Sequence, residues 1–477
     1  MNLTIREIAE AAGGTLVLGE GLSDDVCVTS AVLDSRKAEA GCVFFATVGE
    51  RTDGHRFIPE VFAGGAVLAV TQKGPKQVEA EFGCSASGWG SYLLVEDTLQ
   101  ALKSVAEAHR RKLSVKVVGV TGSVGKTSTK EFIAAVLAEK YKVLKTEGNF
   151  NNEIGVPLTL LRIRPEHQAA VVEMGISDFG EMRRLSKMAR PDICVITNIG
   201  QCHLENLKDR DGILRAKSEI FDFMAPDGEI CLNGGDDKLA ALSEIKGHRP
   251  HFFGLDENDG EEVSAVDIES RGLFGSDAAL RFRDEDGTVK IPVHVPLPGI
   301  HMVRNAAAAA CVGLTLGLSA GEIASGIGKA APVSGRNHLI KLEKYTLIDD
   351  CYNANPASMR AAIDLLSMAD GAKTAILGDM FELGENSHRL HAQIGEYAAG
   401  AGLQELFCVG EEARYMYEAA KKMGGVPRLF YFSSRDELLQ ALKQGTASVS
   451  PGGAVLIKAS HGMEFTKVLE FLKEQAS

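Results

Sequence analysis

The stretch Val115-Lys116-Val117-Val118-Gly119-Val120-Thr121-Gly122-Ser123-Val124-Gly125-Lys126-Thr127 decides the fold. Its first six residues are almost unbroken in apolarity, the mark of a strand covered on both faces. A glycine-bearing turn ends the run, and helix formers follow at once over residues 128–139. Strand, glycine turn and helix in that order make a phosphate cradle, because backbone N–H groups of the turn and the helix start converge on phosphate oxygens. Lys126 is placed to reach the terminal phosphates of ATP, and the Thr127 hydroxyl to ligate Mg²⁺. Thr121, Gly122, Ser123, Val124 and Gly125 supply the rest of the cradle. The usual spacing of such loops asks for glycine at position 120, where this chain has valine, with Gly119 one residue early.

Outward from this loop, residues 169–173 and 193–197 are further apolar runs separated by helical or turn segments. That rhythm belongs to a mostly parallel sheet with helices on both faces. Residues 230–232 add a possible strand, and the acidic region 256–286 reads as antiparallel strands and loops at the sheet edge. A helix over 304–318 closes this unit, which spans 113–334. A second α/β unit, Rossmann-like and covering 335–477, alternates strands at 346–348, 374–377, 406–409, 428–432 and 454–458 with helices at 356–368, 387–399 and 413–422. Before both lies a small α/β unit, 1–112, with buried strands at 42–46 and 66–70 and a helix over 99–112. The basic end of that helix, His109-Arg110-Arg111-Lys112, reads as a solvated terminus. The fold class is therefore α/β in three domains.

Composition narrows the function. The chain has 477 residues and a net charge of -13, from 51 basic and 64 acidic residues, with no basic tail. A general nucleic-acid binder is disfavoured. No apolar run is long enough for a membrane span, and the first twenty residues carry Arg6, Glu7 and Glu10, unlike a signal peptide. Nine cysteines without a CxxC pair fit a reducing, cytoplasmic setting with mostly buried thiols. No coiled coil or exposed apolar stripe argues against a monomer.

Other polar residues group around the phosphate loop. Glu173 ends a strand, where a parallel sheet opens its ligand crevice, so it is either a Mg²⁺ ligand or a strand-end salt bridge. His203 follows the next strand and is a candidate for metal or phosphate contact. Lys217 falls in a helix, and by its chemistry alone reads as a surface lysine. Asn149, Asn151 and Asn152 sit in a glycine-bearing polar loop that either holds a polar substrate or makes turns.

With these residues in view, the chain resembles the Mur ligase family, over its whole length. The family's phosphate motif has the form TGxxGKT, which accounts for Val120. Further matches are Gly148-Asn149-Phe150-Asn151-Asn152-Glu153, Glu173-Met174-Gly175, Ala216-Lys217-Ser218-Glu219, Asp349-Asp350-Cys351-Tyr352-Asn353-Ala354-Asn355-Pro356 and Leu377-Gly378-Asp379-Met380-Phe381-Glu382-Leu383-Gly384. Ser123 resembles the branch that adds D-alanyl-D-alanine. That resemblance implies ATP-dependent ligation of D-alanyl-D-alanine to UDP-N-acetylmuramoyl-tripeptide through an acyl phosphate. It also implies Glu173 and His203 as Mg²⁺ ligands and Lys217 as a lysine often carbamylated in the family, supplying a further metal ligand. Asn305 matches the adenine-side asparagine; Arg336, Asp350 and Asn353 are implied to meet ATP, and His391 to be an active-site histidine. In the first unit, Ser35, Arg36 and the segment 49–55 match the UDP-binding elements.

The chain departs from the family in its Lys458-Ala459-Ser460-His461 segment, where Lys-Gly-Ser-Arg is common. An Asp-Asn-Pro-Arg segment, typical of the sister that adds diaminopimelate, is absent, which argues against that reaction. The rival readings are another amino-acid-adding ligase of this class, a folylpolyglutamate synthase, or a nucleotide-driven switch.

Overall fold

The computed structural model describes residues 1–49, 52–85, 87–255, 261–284 and 287–476. Three sheets of five, nine and six strands follow one another along the chain, with a short two-stranded ladder at the start.

The nine-stranded sheet holds the phosphate loop. Lys116–Thr121 lies between Ala169–Glu173 and Ile193–Ile196 and runs parallel to both. Val117, Val118 and Val120 are fully buried, as a run with helices on both faces requires. On one face, Lys126–Leu137 packs against Ile300–Thr315. The alanines 306–310 leave room for that approach, and Phe132, Ile133 and Val136 fill it. Each such side chain, fully buried, contributes about 1.5–3 kcal/mol. A further helix, Ala320–Gly328, not foreseen in the sequence, comes so close that a Cβ at Gly326 would stand 2.5 Å from Val136 Cα. The acidic edge forms antiparallel strands Val263–Ser270, Ser276–Asp284 and Gly287–Val295; residues 256–260 and 285–286 of the expected region lie outside the described residues.

The first unit keeps a small core of its own, around Cys42, Phe44, Ile58 and Val61, but shares its larger one. Its Ile5, Ile8, Val43 and Phe45 belong to one apolar cluster with Val117, Val172 and Leu185 of the central sheet, joined through Leu102, Val105 and Ala106 of the helix Thr98–Arg111. That shared core corrects half of the expectation of a solvated basic helix end: Arg111 and Lys112 stay exposed, but His109 and Arg110 do not. His109 and Arg110 are 1% and 8% exposed. Arg110 donates to the carbonyls of Ala189 and Arg190 and to Asp192 Oδ2, and His109 Nε2 meets the Ile163 carbonyl at 3.0 Å. A buried guanidinium is tolerated because its donors find fixed acceptors.

The last sheet runs His338–Lys341, Tyr345–Asp349, Gly453–Lys458, Ala372–Gly378, Glu405–Val409, Arg428–Phe432 in spatial order, all parallel but the first. That antiparallel edge strand, and the helices Arg435–Gln444 and Thr466–Ala476, carry weaker apolar patterns and were not anticipated. All nine cysteines are free, and only Cys27 and Cys84 escape full burial. Among the described residues no helix is long and apolar enough to cross a membrane.

Candidate active site

The turn after Lys116–Thr121 is shaped by two glycines. Gly122 has φ 148°, and a Cβ there would overlap Thr197 Oγ1; Gly125 has φ 82° and opens the helix Lys126–Leu137. Neither position accepts a side chain. Asn198 grips the backbone of Val124 from both sides, accepting from its N–H at 3.0 Å and donating to its carbonyl at 3.0 Å. Thr197 donates to the same carbonyl at 2.6 Å, and Ser123 Oγ accepts from Gly200 N–H at 2.9 Å. The loop is thus held open by the end of the neighbouring strand. Sequence reasoning passed over Thr197 and Asn198, although both stand at a parallel strand's carboxyl end.

Lys126 Nζ donates to the Gly122 carbonyl at 2.8 Å, and burial lowers its pKa. Thr127 Oγ1 donates to Glu173 Oε1 at 3.2 Å, and Asn151 Nδ2 donates to the same oxygen at 2.8 Å. The other oxygen, Oε2, is buried without a hydrogen bond, with Lys130 Nζ 3.9 Å away. Glu173 itself is 1% exposed. A buried carboxylate oxygen lacking a donor beside a threonine hydroxyl fits a Mg²⁺ ligand better than a simple strand-end salt bridge. Among the described residues no three His, Cys, Asp or Glu side chains gather into a metal-binding group. Mg²⁺ suits this sparse set, because it keeps waters and takes phosphate oxygens alongside one or two carboxylates.

Lys126, Thr127 and Asn151 line one wall of a cavity of about 280 Å³, with Glu173 buried behind them. Asn305, Arg336, Asp350, Asn353 and Lys458 line another, so the walls come from both the central and the last unit. Lys458 Nζ meets Asp350 Oδ2 at 2.5 Å and the Asn353 carbonyl at 2.9 Å. Burial raises the Asp350 pKa, and Lys458 opposes that rise. Arg336 stacks on the Tyr352 ring at 4.0 Å. Within the last unit Asn337 N–H donates to Asp350 Oδ1 at 3.2 Å, and its side-chain amide reaches across to the central unit, 3.0 Å from His301 Nε2. His301, half-buried at the start of Ile300–Thr315, has its pKa lowered to about 4, chiefly by desolvation of its ring. Lys458, His301 and Asn337 were not singled out by sequence, yet Lys458 ends a parallel strand just as Glu173 does.

His203 lines this cavity and a second one beside it, which also reaches Tyr352, Glu382 and His461. Its Nδ1 lies 2.5 Å from Glu382 Oε2 of the last unit. Lys217 is fully buried, not on the surface. Desolvation lowers its pKa to about 8, with Cys202 and Lys126 near enough to act on it.

Other expected residues do not meet at the cavity. His391 is fully buried; its Nε2 accepts from Met380 N–H at 2.9 Å and its Nδ1 faces the Ser387 carbonyl at 2.8 Å. It fixes the backbone beside the cavity without lining it. Asn152 Oδ1 accepts from Ile154 and Gly155 N–H, the turn-making role, and Asn149 is exposed. Ser35 and Arg36 lie on a short helical turn of the first unit, where Arg36 pairs with Asp34 at 2.7 Å and stays 84% exposed. In the segment 49–55, residues 50 and 51 lie outside the described residues. His55 is fully buried there between Asp53 and the Gln72 N–H, so it shapes that loop from within.

A three-unit α/β chain with a phosphate loop facing a basic and amide-rich wall of its last unit defines an ATP-dependent ligase architecture, and the chain belongs to the Mur ligase family. Residues 120–313 match the Mur ligase middle domain and residues 335–461 the Mur ligase, glutamate ligase domain. The chain is 34% identical to the UDP-N-acetylmuramoyl-tripeptide--D-alanyl-D-alanine ligase of Bacillus subtilis, over 99% of this chain and 98% of that protein. It is 32% identical to the Escherichia coli enzyme of the same name, over 96% and 97%. Among solved structures, MurF from Acinetobacter baumannii superposes with a TM-score of 0.84 at 32% identity, covering 99% of both chains. MurF ligase from Thermotoga maritima in complex with ADP gives 0.77 at 29% identity, over 94% and 98%.

Proposed function

We infer that this chain joins D-alanyl-D-alanine to UDP-N-acetylmuramoyl-tripeptide at the expense of ATP, giving the pentapeptide precursor of peptidoglycan. The observation that carries the reading is the shared cavity, in which Lys126, Thr127 and Asn151 face Asp350, Asn353 and Lys458 across the two units, with Glu173 held behind Thr127 and Asn151. The relatives that match over the full length bear that activity in their names. We assign three domains, 1–112, 113–334 and 335–477, acting as a cytoplasmic monomer, with Ser35 and Arg36 on the UDP side.

A carboxylate is a poor electrophile. Its oxygen therefore first attacks the γ-phosphorus of ATP, ADP leaves, and an acyl phosphate forms. Lys126 offsets charge on the transferring phosphoryl group. The Ser123 to Thr127 backbone holds the phosphates in line, and Asn305, Arg336, Asp350 and Asn353 hold the nucleotide. Mg²⁺, which neutralises phosphate charge, would be held by Thr127 and Glu173 with His203 as a further ligand, and Lys217, once carbamylated, would offer an oxygen to a second Mg²⁺. The D-alanyl-D-alanine amine, having lost a proton, attacks the acyl carbon, and phosphate departs as the C–N bond forms. Asn151, tied to Glu173, stands where the tripeptide carboxylate must arrive. Water would hydrolyse the acyl phosphate, so walls drawn from two units serve to exclude it.

Purified protein with ATP, Mg²⁺ and UDP-N-acetylmuramoyl-tripeptide, with and without D-alanyl-D-alanine, tests this directly. Lysine- and diaminopimelate-containing tripeptides are run in parallel and products are weighed by mass spectrometry. One condensed D-alanyl-D-alanine per product, dependent on all three substrates, supports the reading. Addition of a single amino acid, or phosphate release without acceptors, overturns it.

A further inference from the structure

We propose that Glu382 is a positioning residue that holds the His203 imidazole at the phosphate loop, so that the last unit completes the phosphate end of the site. The proposal rests on the ligase reading for its effect on turnover, but its geometry stands apart from that reading. His203 belongs to the central unit and Glu382 to the last, and their side chains meet at 2.5 Å. Both residues sit in the left-handed backbone region, at φ 50° and φ 61°. Non-glycine residues hold that conformation only where surrounding structure fixes it.

The surroundings do so on both sides. The loop bearing Glu382 is tied by Met380 N–H to His391 Nε2 and by Phe381 N–H to Ser460 Oγ, each at 2.9 Å. The His203 carbonyl accepts from Leu207 N–H at 2.9 Å, and Leu204, one residue on, packs into the apolar core of the last unit. Beside it, a Cβ on Gly384 would stand 3.8 Å from Glu205 Cα. The two loops dock backbone to backbone, and the ion pair is the polar end of that docking.

The chemistry gives the contact a purpose. The carboxylate stands at contact distance from Nδ1 but off the line of a hydrogen bond; a carboxylate beside Nδ1 favours the proton there and leaves Nε2 as the nitrogen available to a ligand in the cleft. The bland alternative is an incidental surface pair, since the side chains are 23% and 55% exposed. Such a pair adds little to stability. Its removal should therefore leave the fold intact, which makes turnover and tautomer the informative readouts.

Glu382→Ala and Glu382→Gln are compared with the unaltered full chain. Nitrogen-15 NMR of histidine-labelled protein at one fixed pH reports the tautomer of His203, assigned with His203→Asn. We expect the Nδ1–H form in the unaltered chain and its loss in Glu382→Ala, with unchanged melting temperature. Turnover should fall about tenfold or more, the usual effect of removing such a partner, with the KM for D-alanyl-D-alanine little changed. Glu382→Gln, which keeps an acceptor oxygen, should recover part of both. An unchanged tautomer, unchanged turnover, or a loss that tracks a lowered melting temperature would overturn the proposal. Should the unaltered chain fail to ligate D-alanyl-D-alanine, the ligase reading falls while the tautomer still decides the contact.

Discussion

Asp350 and Lys458 face each other at 2.5 Å from the ends of two neighbouring parallel strands, with side chains only 9% and 2% exposed. Burial raises the Asp350 pKa at this nucleotide wall, and the Lys458 ammonium opposes that rise. Removing one strands the other in a low-dielectric setting, at a cost of about 3–5 kcal/mol. Lys458→Met should accordingly destabilise the last unit by about that amount in urea unfolding, and the double variant with Asp350→Asn should recover most of the loss. A single variant as stable as the unaltered chain would show that the pair is not structural.

Glu173 separates stability from function in the opposite sense. Its Oε2 is buried without a hydrogen bond, so Glu173→Gln breaks no hydrogen bond at that atom and loses only the longer ion pair with Lys130. We expect an unchanged or raised melting temperature together with a loss of ligase turnover of about a hundredfold or more. Calorimetric titration with ADP should show its Mg²⁺ enhancement lost while metal-free binding persists.

The His301–Asn337 contact makes the join between units sensitive to acid. His301 has a folded pKa of about 4 against 6.5 for a free histidine, so between those values the unfolded chain binds the extra proton. Its contribution is therefore fully present above pH 6.5 and is lost as pH falls towards 4. His109 and His391, also lowered by burial, act in the same direction. Melting temperatures measured from pH 8 to pH 4 should fall through this window, and less steeply in His301→Gln.

Lys217 is buried with a pKa of about 8, so much of it is a neutral amine at mildly alkaline pH. Only a neutral amine adds carbon dioxide. Carbon-13 bicarbonate should give a carbamate signal that Lys217→Arg abolishes, with ligase turnover lost in the same variant. Equal turnover in Lys217→Arg would remove Lys217 from the reaction.

Much of this was legible in the sequence for a physical reason: parallel strands covered on both faces must be apolar without interruption. The strand at residues 169–173 was therefore placed to the residue, and Lys116–Thr121 within one. Strand ends then pointed to Glu173. Burial of polar residues was not legible, because it depends on partners far along the chain. Arg110 finds Ala189, Arg190 and Asp192 about eighty residues on, and Lys217 reads as a surface lysine until the fold surrounds it. Edge strands such as His338–Lys341, half-buried and short, lack the unbroken apolar pattern altogether.

The placement of the thiols gives the protein a built-in gauge of its own opening. Cys27 lies exposed, while Cys42 in the first unit, Cys194, Cys231 and Cys311 in the central one, and Cys351 and Cys408 in the last are sealed from solvent. A maleimide added to the native chain should thus mark Cys27 quickly. The later sulfurs, located by peptide mapping, would then time separately how often each unit loosens, and how far nucleotide slows the two that share its cavity.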